Sequence, residues 1–458
     1  MGLSVVILAA GKGTRMQSSM PKVLHPIAGK PMLQHVIDAA NKLNAEQIVV
    51  VAGHGISRVR DALAKQSVDI AKQTQQLGTG HAVDQALPLI NSSNEVLVLY
   101  GDVPLIEPQT LADLCQQIPD SGISLLTVML DNPQGYGRIV RNAQDEVVAI
   151  VEQKDANSDQ LLINEVNTGI LAAKASDLSA WLKNIDNNNA QGEYYLTDTI
   201  AMAASQGGVI ASHPSSAIEV EGVNSRIQLA TLERAYQLSK AETLMAQGVT
   251  LIDPNRLDIR GELDCASDVL IDLNVIVEGK VTIETGAQID ANVILKDCVI
   301  GQGTHVKANS MIDGAKIGRD CQIGPFARIR PNTELKDEAF IGNFVETKKT
   351  TLGKGSKASH LAYIGDAKVG EQVNIGAGVI TCNYDGVNKY QTLIEDGAFI
   401  GSDSQLVAPV TIGKMATVGA GTTVTKDVPA ENLVISRVKQ KHLDDWQRPT
   451  KIAKEDKK

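Results

Sequence analysis

Arg15 and Lys22 punctuate residues 8–22, L-A-A-G-K-G-T-R-M-Q-S-S-M-P-K, directly after the apolar run Val5, Val6, Ile7. A Gly-rich turn after a parallel strand lets backbone N–H groups approach phosphates closely, and a following helix would add its positive N-terminus. Two glycines alone suit an ordinary strand-to-helix turn better. Arg15 and the Pro21-Lys22 pair shift the reading toward a phosphate cradle, because two cations at fixed spacing match a polyanion. A second polar loop, Tyr100-Gly101-Asp102, closes another apolar run at residues 96–99.

From residue 1 to about 226, short apolar runs (5–8, 48–51, 96–99, 124–129) alternate with amphipathic segments such as 32–43. This alternation predicts βαβ units, an α/β Rossmann-like domain with a mainly parallel sheet. Ligands of such sheets sit beyond the carboxyl ends of the strands, where both polar loops fall, so the two loops converge on one crevice. Residues 227–247 contain no Gly or Pro and carry apolar residues at helical spacing, predicting a connecting helix.

Beyond that helix the period becomes six. An aliphatic residue followed by Gly recurs at Ile300, Ile317, Ile323, Ile341, Ile364, Ile375, Ile400, Ile412 and Val418, with Leu406 filling a further step. Such a repeat lays a short strand on one face, turns at a small residue and points its aliphatic side chain inward. Three steps make one coil, which resembles the hexapeptide-repeat left-handed parallel β-helix, and residues 250–425 accommodate roughly nine or ten coils of about eighteen residues. The polar stretch T-C-N-Y-D-G-V-N-K-Y-Q, between Ile375-Gly376 and Ile400-Gly401, predicts an excursion loop. In residues 438–458 seven Lys/Arg (Lys439, Lys441, Arg448, Lys451, Lys454, Lys457, Lys458) outnumber Asp444, Asp445, Glu455 and Asp456, a composition that suits a solvated tail or one that gathers ligand phosphates.

A formal charge of −10 argues against a general nucleic-acid or anionic-membrane binder, so any phosphate site must be local. Cys115, Cys265, Cys298, Cys321 and Cys382 form no C-x-x-C pair and read as reduced, structural thiols. No stretch approaches a membrane span, and the N-terminal apolar run is too short for a signal-peptide core; a soluble, cytoplasmic protein is predicted.

The motifs L-A-A-G-K-G-T-R-M, P-K-V-L-H (21–25), Q-L-G-T-G-H-A (76–82), Y-G-D-V-P-L (100–105), G-Y-G-R-I (135–139), N-T-G-I (167–170), G-E-Y-Y-L-T-D (192–198) and V-E-G-V-N (220–224) resemble those of the sugar-nucleotide uridylyltransferases. With F-V-E-T-K-K (344–349), H-L-A-Y-I-G-D (360–366) and C-N-Y-D-G (382–386) in the repeat, nearly the whole chain is similar to the bifunctional bacterial family of N-acetylglucosamine-1-phosphate uridylyltransferases and glucosamine-1-phosphate N-acetyltransferases. That resemblance implies acetyl transfer from acetyl-CoA to glucosamine 1-phosphate. Uridylyl transfer from UTP to N-acetylglucosamine 1-phosphate would follow, releasing pyrophosphate and feeding peptidoglycan and lipopolysaccharide precursors. It implies four regions: a uridylyltransferase domain (1–226), a linker helix (227–247), an acetyltransferase β-helix (248–437) and a tail (438–458). A pyrophosphorylase with a purely regulatory solenoid and a non-enzymatic scaffold are the alternatives.

For the first reaction the resemblance implies that Leu8, Ala9, Ala10, Gly11, Gln73, Gly78 and Thr79 hold the nucleoside, beside Tyr100 and Gly101. Arg15 and Lys22 would supply catalytic positive charge to the phosphates. Asp102 and the Asn224 amide oxygen would hold Mg²⁺, although a turn-stabilising Asp and a helix-capping Asn remain alternatives. Gly137, Glu152, Asn167 and Thr197 would face the acetamido sugar. For the second reaction it implies His360 as base, with Glu346 in support, and Arg330, Lys348, Tyr363 and Asn374 around glucosamine 1-phosphate. The surroundings of His360 (Lys357, Ala358, Ser359) suggest a break in the coil register. Ala377, Asn383, Tyr384, Ser402, Ala420 and Arg437 would contact acetyl-CoA. An open solenoid gives each site one wall, which agrees with the family's homotrimer.

Overall fold

The structure, a computed structural model, describes residues 2–451 and contains two compact units. One unit runs to Thr243 and takes in Asp258–Gly261; the other comprises Leu244–Leu257 and the chain from Glu262 onward.

The first unit is built on a sheet whose strands follow the order Val209–Ser212, Ile123–Met129, Glu165–Lys174, Glu95–Tyr100, Leu3–Leu8, Gln47–Ala52, Asp69–Lys72. Leu3–Leu8 lies parallel to both Gln47–Ala52 and Glu95–Tyr100. Glu165–Lys174 runs antiparallel to both of its neighbours, so the sheet is mixed where the sequence suggests a mainly parallel one. The central strands are apolar throughout because both faces are covered. Val5, Ile7, Val50, Leu97 and Leu99 pack with Leu33, Val36, Ile37 and Ala40 of helix Met32–Asn41, while Val6, Val49, Val51, Val96 and Val98 pack with Ala82, Val83 and Ala86 of helix Thr79–Ala86. Each fully buried Val, Leu or Ile stabilises by about 1.5–3 kcal/mol relative to exposure. The carboxyl ends of Leu3–Leu8 and Glu95–Tyr100 are thereby fixed side by side, which brings the two polar loops together.

The helix predicted at 227–247 spans Arg226–Ala246 and is more than a connector. Its Leu232 is buried with Met16, Ile27, Met32 and Val223; Glu233 accepts a hydrogen bond from the Ala28 N–H at 2.7 Å, and Gln237 exchanges two with the Ile259 backbone. The early turns of this helix therefore belong to the core of the first unit.

The second unit is a solenoid of short parallel strands, with eleven on one face among the described residues. Ile289, Val306, Ile323, Ile341, Ala358, Ile375, Ile400 and Val418 stack in register, at steps of 17, 17, 18, 17, 17, 25 and 18 residues. The pattern is that of hexapeptide repeats in a left-handed β-helix. Corners rely on left-handed backbone at Asp or Asn, such as Asn292, Asn309 and Asp403, which tolerate it better than most residues. The long step contains the excursion. Thr381 and Cys382, assigned to the loop from sequence, instead remain in strand Ile380–Cys382, and Tyr384 bridges Lys389 beyond it.

Candidate functional site

Residues Leu8, Ala9, Ala10, Gly11, Arg15, Lys22, Gln73, Gly78, Thr79, Tyr100, Asp102 and Asn224 line a single cleft of about 770 Å³ in the first unit. Gly101 turns the chain beneath it, where an added Cβ would approach Leu33 and Val23. Its loop lacks the helix N-terminus suggested by the sequence: residues 9–31 form the 3-10 turns Thr14–Met16 and Lys22–Leu24 and a short antiparallel pair, Pro26–Ile27 with Lys30–Pro31, and the first α-helix starts at Met32. Pro21, Pro26 and Pro31 disfavour earlier helix by removing N–H donors and restraining the preceding residue. The loop thus offers a ligand its own N–H groups and cations in place of a helix N-terminus. Arg15 is exposed on the cleft wall, free of any ion pair among the described residues. Gly13, in left-handed backbone at φ 59°, lets the loop fold over Lys22, whose Cβ would lie 2.7 Å from an added Cβ.

Lys22 reaches across the cleft. Its Nζ donates to Asp102 Oδ2 and, at 3.0 Å, to Asn224 Oδ1. The helix cap that Asn224 could have supplied comes from Ser225 and Gln228: Ser225 Oγ accepts from the Gln228 N–H at 3.2 Å, and Gln228 Oε1 accepts from the Asn224 N–H at 2.9 Å. The Asn224 side chain is thus released toward the cleft. Val223 N–H to the Asp102 carbonyl, 2.9 Å, locks the two loops together. One carboxylate and one amide oxygen converging on a single cation suit Mg²⁺, which takes one or two protein oxygens and fills its shell with phosphate and water.

The end of the cleft around Gly78 is built from motifs far apart in sequence. Gly78, at φ 118°, passes so close to Tyr194 that a Cβ would lie 2.5 Å from its carbonyl O. Tyr194 N–H donates to the Leu77 carbonyl, Gly80 N–H to the Tyr194 carbonyl, and Leu196 N–H to Thr79 Oγ1. This clamp sets residues 193–197 beside Gly78 and Thr79. Thr197 Oγ1 in turn donates to Glu152 Oε1 at 3.2 Å, an added Cβ on Gly137 would lie 3.4 Å from the same oxygen, and Asn167 N–H donates to the Gly137 carbonyl at 2.9 Å. Gly137, Glu152, Asn167 and Thr197 are therefore one cluster next to the cleft, with Tyr136, Thr168 and Glu193 from the same segments on the wall itself. Burial pushes the Glu152 carboxyl above its ordinary range, with the Thr197 hydrogen bond opposing. Burial likewise raises the Tyr100 phenol, helped by Glu152 and Asp102.

The sequence reading passed over Lys12, Thr14, Gln76, Tyr136 and Gln228, which also line the cleft. Lys12, Thr14, Gln76 and Tyr136 lie inside quoted motifs, and Gln228 completes a Ser-x-x-Gln capping box, so signals for all five were present.

In the second unit, residues two past the stacked aliphatics form a column along one solenoid corner: Asn343, His360, Ala377, Ser402 and Ala420. Arg437 lies against the same corner near Gly421. The coil register is unbroken at His360, contrary to the sequence expectation; Lys357–His360 is a regular strand in which Ala358 and Ser359 take the usual Ile and Gly places. Asn343 Oδ1 lies 2.7 Å from His360 Nδ1. An amide oxygen only accepts, so Nδ1 carries the proton and exposed Nε2 is left as base.

On the adjoining face Glu346 stacks over Tyr363 and accepts from Arg330 Nη1 at 2.6 Å. Lys348 has its ammonium pKa lowered mainly by Lys389 of the excursion loop, then by burial and Arg330, with Asp366 opposing. Asn383 Nδ2 donates to Asp366 Oδ2 at 2.5 Å, fixing the base of that loop, and Tyr384 is exposed on it. Asn374 sits between Lys357 and Phe399 on the other face; among the described residues no hydrogen bond links it to Arg330, Lys348 or Tyr363. Residues 438–451 of the tail are exposed, whereas Lys454, Glu455, Asp456, Lys457 and Lys458 lie outside the described residues.

Three family matches accord with these two units. Residues 5–162 match the MobA-like NTP transferase domain, residues 259–338 the GMPPB C-terminal domain, and residues 391–426 the hexapeptide repeat of succinyl-transferase. Among solved structures, a nucleotidyl transferase from Methanothermobacter thermautotroptrophicus is 19% identical, covering 51% of this chain and 97% of that one at a TM-score of 0.39. The chain is a transferase: a nucleotidyltransferase domain followed by an acyltransferase-like hexapeptide region. Among the described residues no helix is long and apolar enough to cross a membrane.

Proposed function

We propose that the chain makes UDP-N-acetylglucosamine in two steps. The solenoid transfers acetyl from acetyl-CoA to glucosamine 1-phosphate, and the cleft then transfers uridylyl from UTP to N-acetylglucosamine 1-phosphate, releasing pyrophosphate. The observation that carries the reading is the coexistence, in one chain, of a cation-lined cleft with Asp102 and Asn224 converged at its centre and a solenoid corner that aligns His360 with Ala377, Ser402 and Ala420.

In the cleft, the sugar phosphate oxygen attacks the α-phosphorus of UTP. The nucleophile is already anionic, so the protein's task is positioning and charge stabilisation rather than proton removal. Asp102 and Asn224 would hold Mg²⁺, which neutralises phosphate charge when bound. Lys22 and Arg15 stabilise the negative charge carried by the pyrophosphate leaving group, while Glu152, Asn167 and Thr197 favour the acetylated sugar. In the solenoid, Arg330, Lys348 and Lys389 bind the sugar phosphate. His360 Nε2 takes a proton from the amine of glucosamine 1-phosphate as it attacks the thioester carbonyl; the C–S bond then breaks and CoA leaves as thiol.

Phe326 and Phe344 stack at 5.4 Å, and with Leu361 they expose apolar side chains from left-handed corners of three successive coils. That stripe adjoins His360 in sequence and supports assembly of three solenoids, with a neighbour closing the open site. The decisive test is an assay with glucosamine 1-phosphate, acetyl-CoA and UTP, each omitted in turn: CoA release should need only the first two, and pyrophosphate release all three.

A further inference from the structure

Gln73 follows strand Asp69–Lys72, is 3% exposed, and lines the cleft. Its Nε2 donates to the Gly78 carbonyl at 3.1 Å and to His81 Nδ1 at 3.1 Å. The Gly78 contact identifies the amide atom, because a carbonyl oxygen accepts and never donates. With both amide protons committed, His81 Nδ1 is the unprotonated ring nitrogen and the imidazole proton sits on Nε2. Among the described residues Gln73 Oε1 makes no hydrogen bond. The amide therefore offers an incoming ring an acceptor and no donor.

His81 itself has little freedom. It stands in the first turn of helix Thr79–Ala86, whose start is clamped by Gly80 N–H to the Tyr194 carbonyl at 2.9 Å and by Leu196 N–H to Thr79 Oγ1 at 3.1 Å. The Gln73 backbone carbonyl is also engaged, accepting from Gln76 Nε2 at 3.2 Å. Rotating the amide by half a turn would set Oε1 against both the Gly78 carbonyl and a ring lone pair, two acceptor–acceptor contacts that the buried site cannot relieve with water.

We infer that His81 is a specificity-determining positioning residue: by holding the Gln73 amide with its oxygen free, it makes the cleft select a pyrimidine whose ring nitrogen carries a proton, uracil, over cytosine, whose corresponding nitrogen is an acceptor. This deepens the nucleotidyl-transfer reading and rests on it. A site that leaves polar groups unpaired against the wrong ligand discriminates more strongly than an apolar pocket does.

The test compares kcat/KM for UTP and CTP in the full chain, its His81→Leu variant and its His81→Gln variant, with N-acetylglucosamine 1-phosphate as acceptor. The wild type is expected to favour UTP. His81→Leu, which leaves the Gly78 carbonyl as the amide's one remaining anchor, is expected to lower the UTP/CTP ratio by about tenfold or more, chiefly through KM. His81→Gln, whose Oε1 can accept the same amide proton, should retain much of the ratio. Equal loss with both nucleotides in His81→Leu would mean a merely structural role and overturn the inference, as would a wild-type preference for CTP. If the folded wild type turned over neither nucleotide, the nucleotidyl reading would fall and the inference with it.

Discussion

Lys22 holds two positions that exclude each other. Its ammonium sits on Asp102 and Asn224, the two oxygens that suit a divalent cation, yet its proposed role places it against phosphate. On the proposed roles, nucleotide would draw Lys22 away from the two oxygens that a metal would take, which would couple the two ligands. Lys22→Met is predicted to tighten Mn²⁺ binding without nucleotide by about tenfold while sharply lowering uridylyl turnover; calorimetric titration of Mn²⁺ checks the first part, and unchanged affinity would contradict it. Asp102→Ala should cost uridylyl transfer at least about 100-fold and spare acetyl transfer. Glu152 makes a prediction in pH. Because burial raises its carboxyl, its contribution to stability is complete below the ordinary Glu range and is lost as pH rises through the raised value. Glu152→Gln should accordingly raise Tm by about 2–4 °C at pH 8, with the gap closing toward pH 4, while weakening acceptor-sugar binding; thermal scans across pH decide this.

At the scale of elements, the column Asn343, His360, Ala377, Ser402, Ala420 shows how a repeat converts spacing into a site. Asn343→Ala should lower acetyl-transfer kcat by about tenfold with little change in KM, since it frees the tautomer of a base that otherwise stays in place. Gly78→Ala meets the Tyr194 carbonyl and is expected to impair UTP binding and cost roughly 1–3 kcal/mol, measurable by denaturation. Much of this was legible in the sequence. The six-residue period marks inward aliphatics that are all buried, and the apolar runs at 5–8 and 96–99 coincide with strands whose ends meet at the cleft. What escaped was pairing across distance. Residues Ile170, Leu171, Ala172 and Ala173 of antiparallel Glu165–Lys174 are as apolar and buried as the strands beside them, because a strand covered on both faces loses the alternation that reports its setting. The Gly-rich loop mimicked a loop-to-helix phosphate site, although Pro21, Pro26 and Pro31 argued against an immediate helix. A helix-capping role for Asn224 stayed open as an alternative because a Ser-x-x-Gln box one residue later was overlooked. The Lys22 bridge and the Gln73–His81 contact depend on three-dimensional approach that no spacing encodes.

For the whole molecule, the two units hold their chemistry separately. The cleft residues all lie in the first unit and the His360 column in the second, so each activity should survive loss of the other. Phe344→Asp, which places a charge in the stacked apolar stripe, is predicted to shift a trimer toward monomer in sedimentation and to depress acetyl transfer well beyond uridylyl transfer. The central claim is that one chain performs two transfers in order at independent sites. It is tested most directly by His360→Ala, assayed for CoA release from glucosamine 1-phosphate with acetyl-CoA and for pyrophosphate release from N-acetylglucosamine 1-phosphate with UTP. The account predicts a loss of about 10²–10⁴-fold or more in the first and a nearly unchanged second. Retained CoA release, or joint loss of both activities in folded protein, would contradict it.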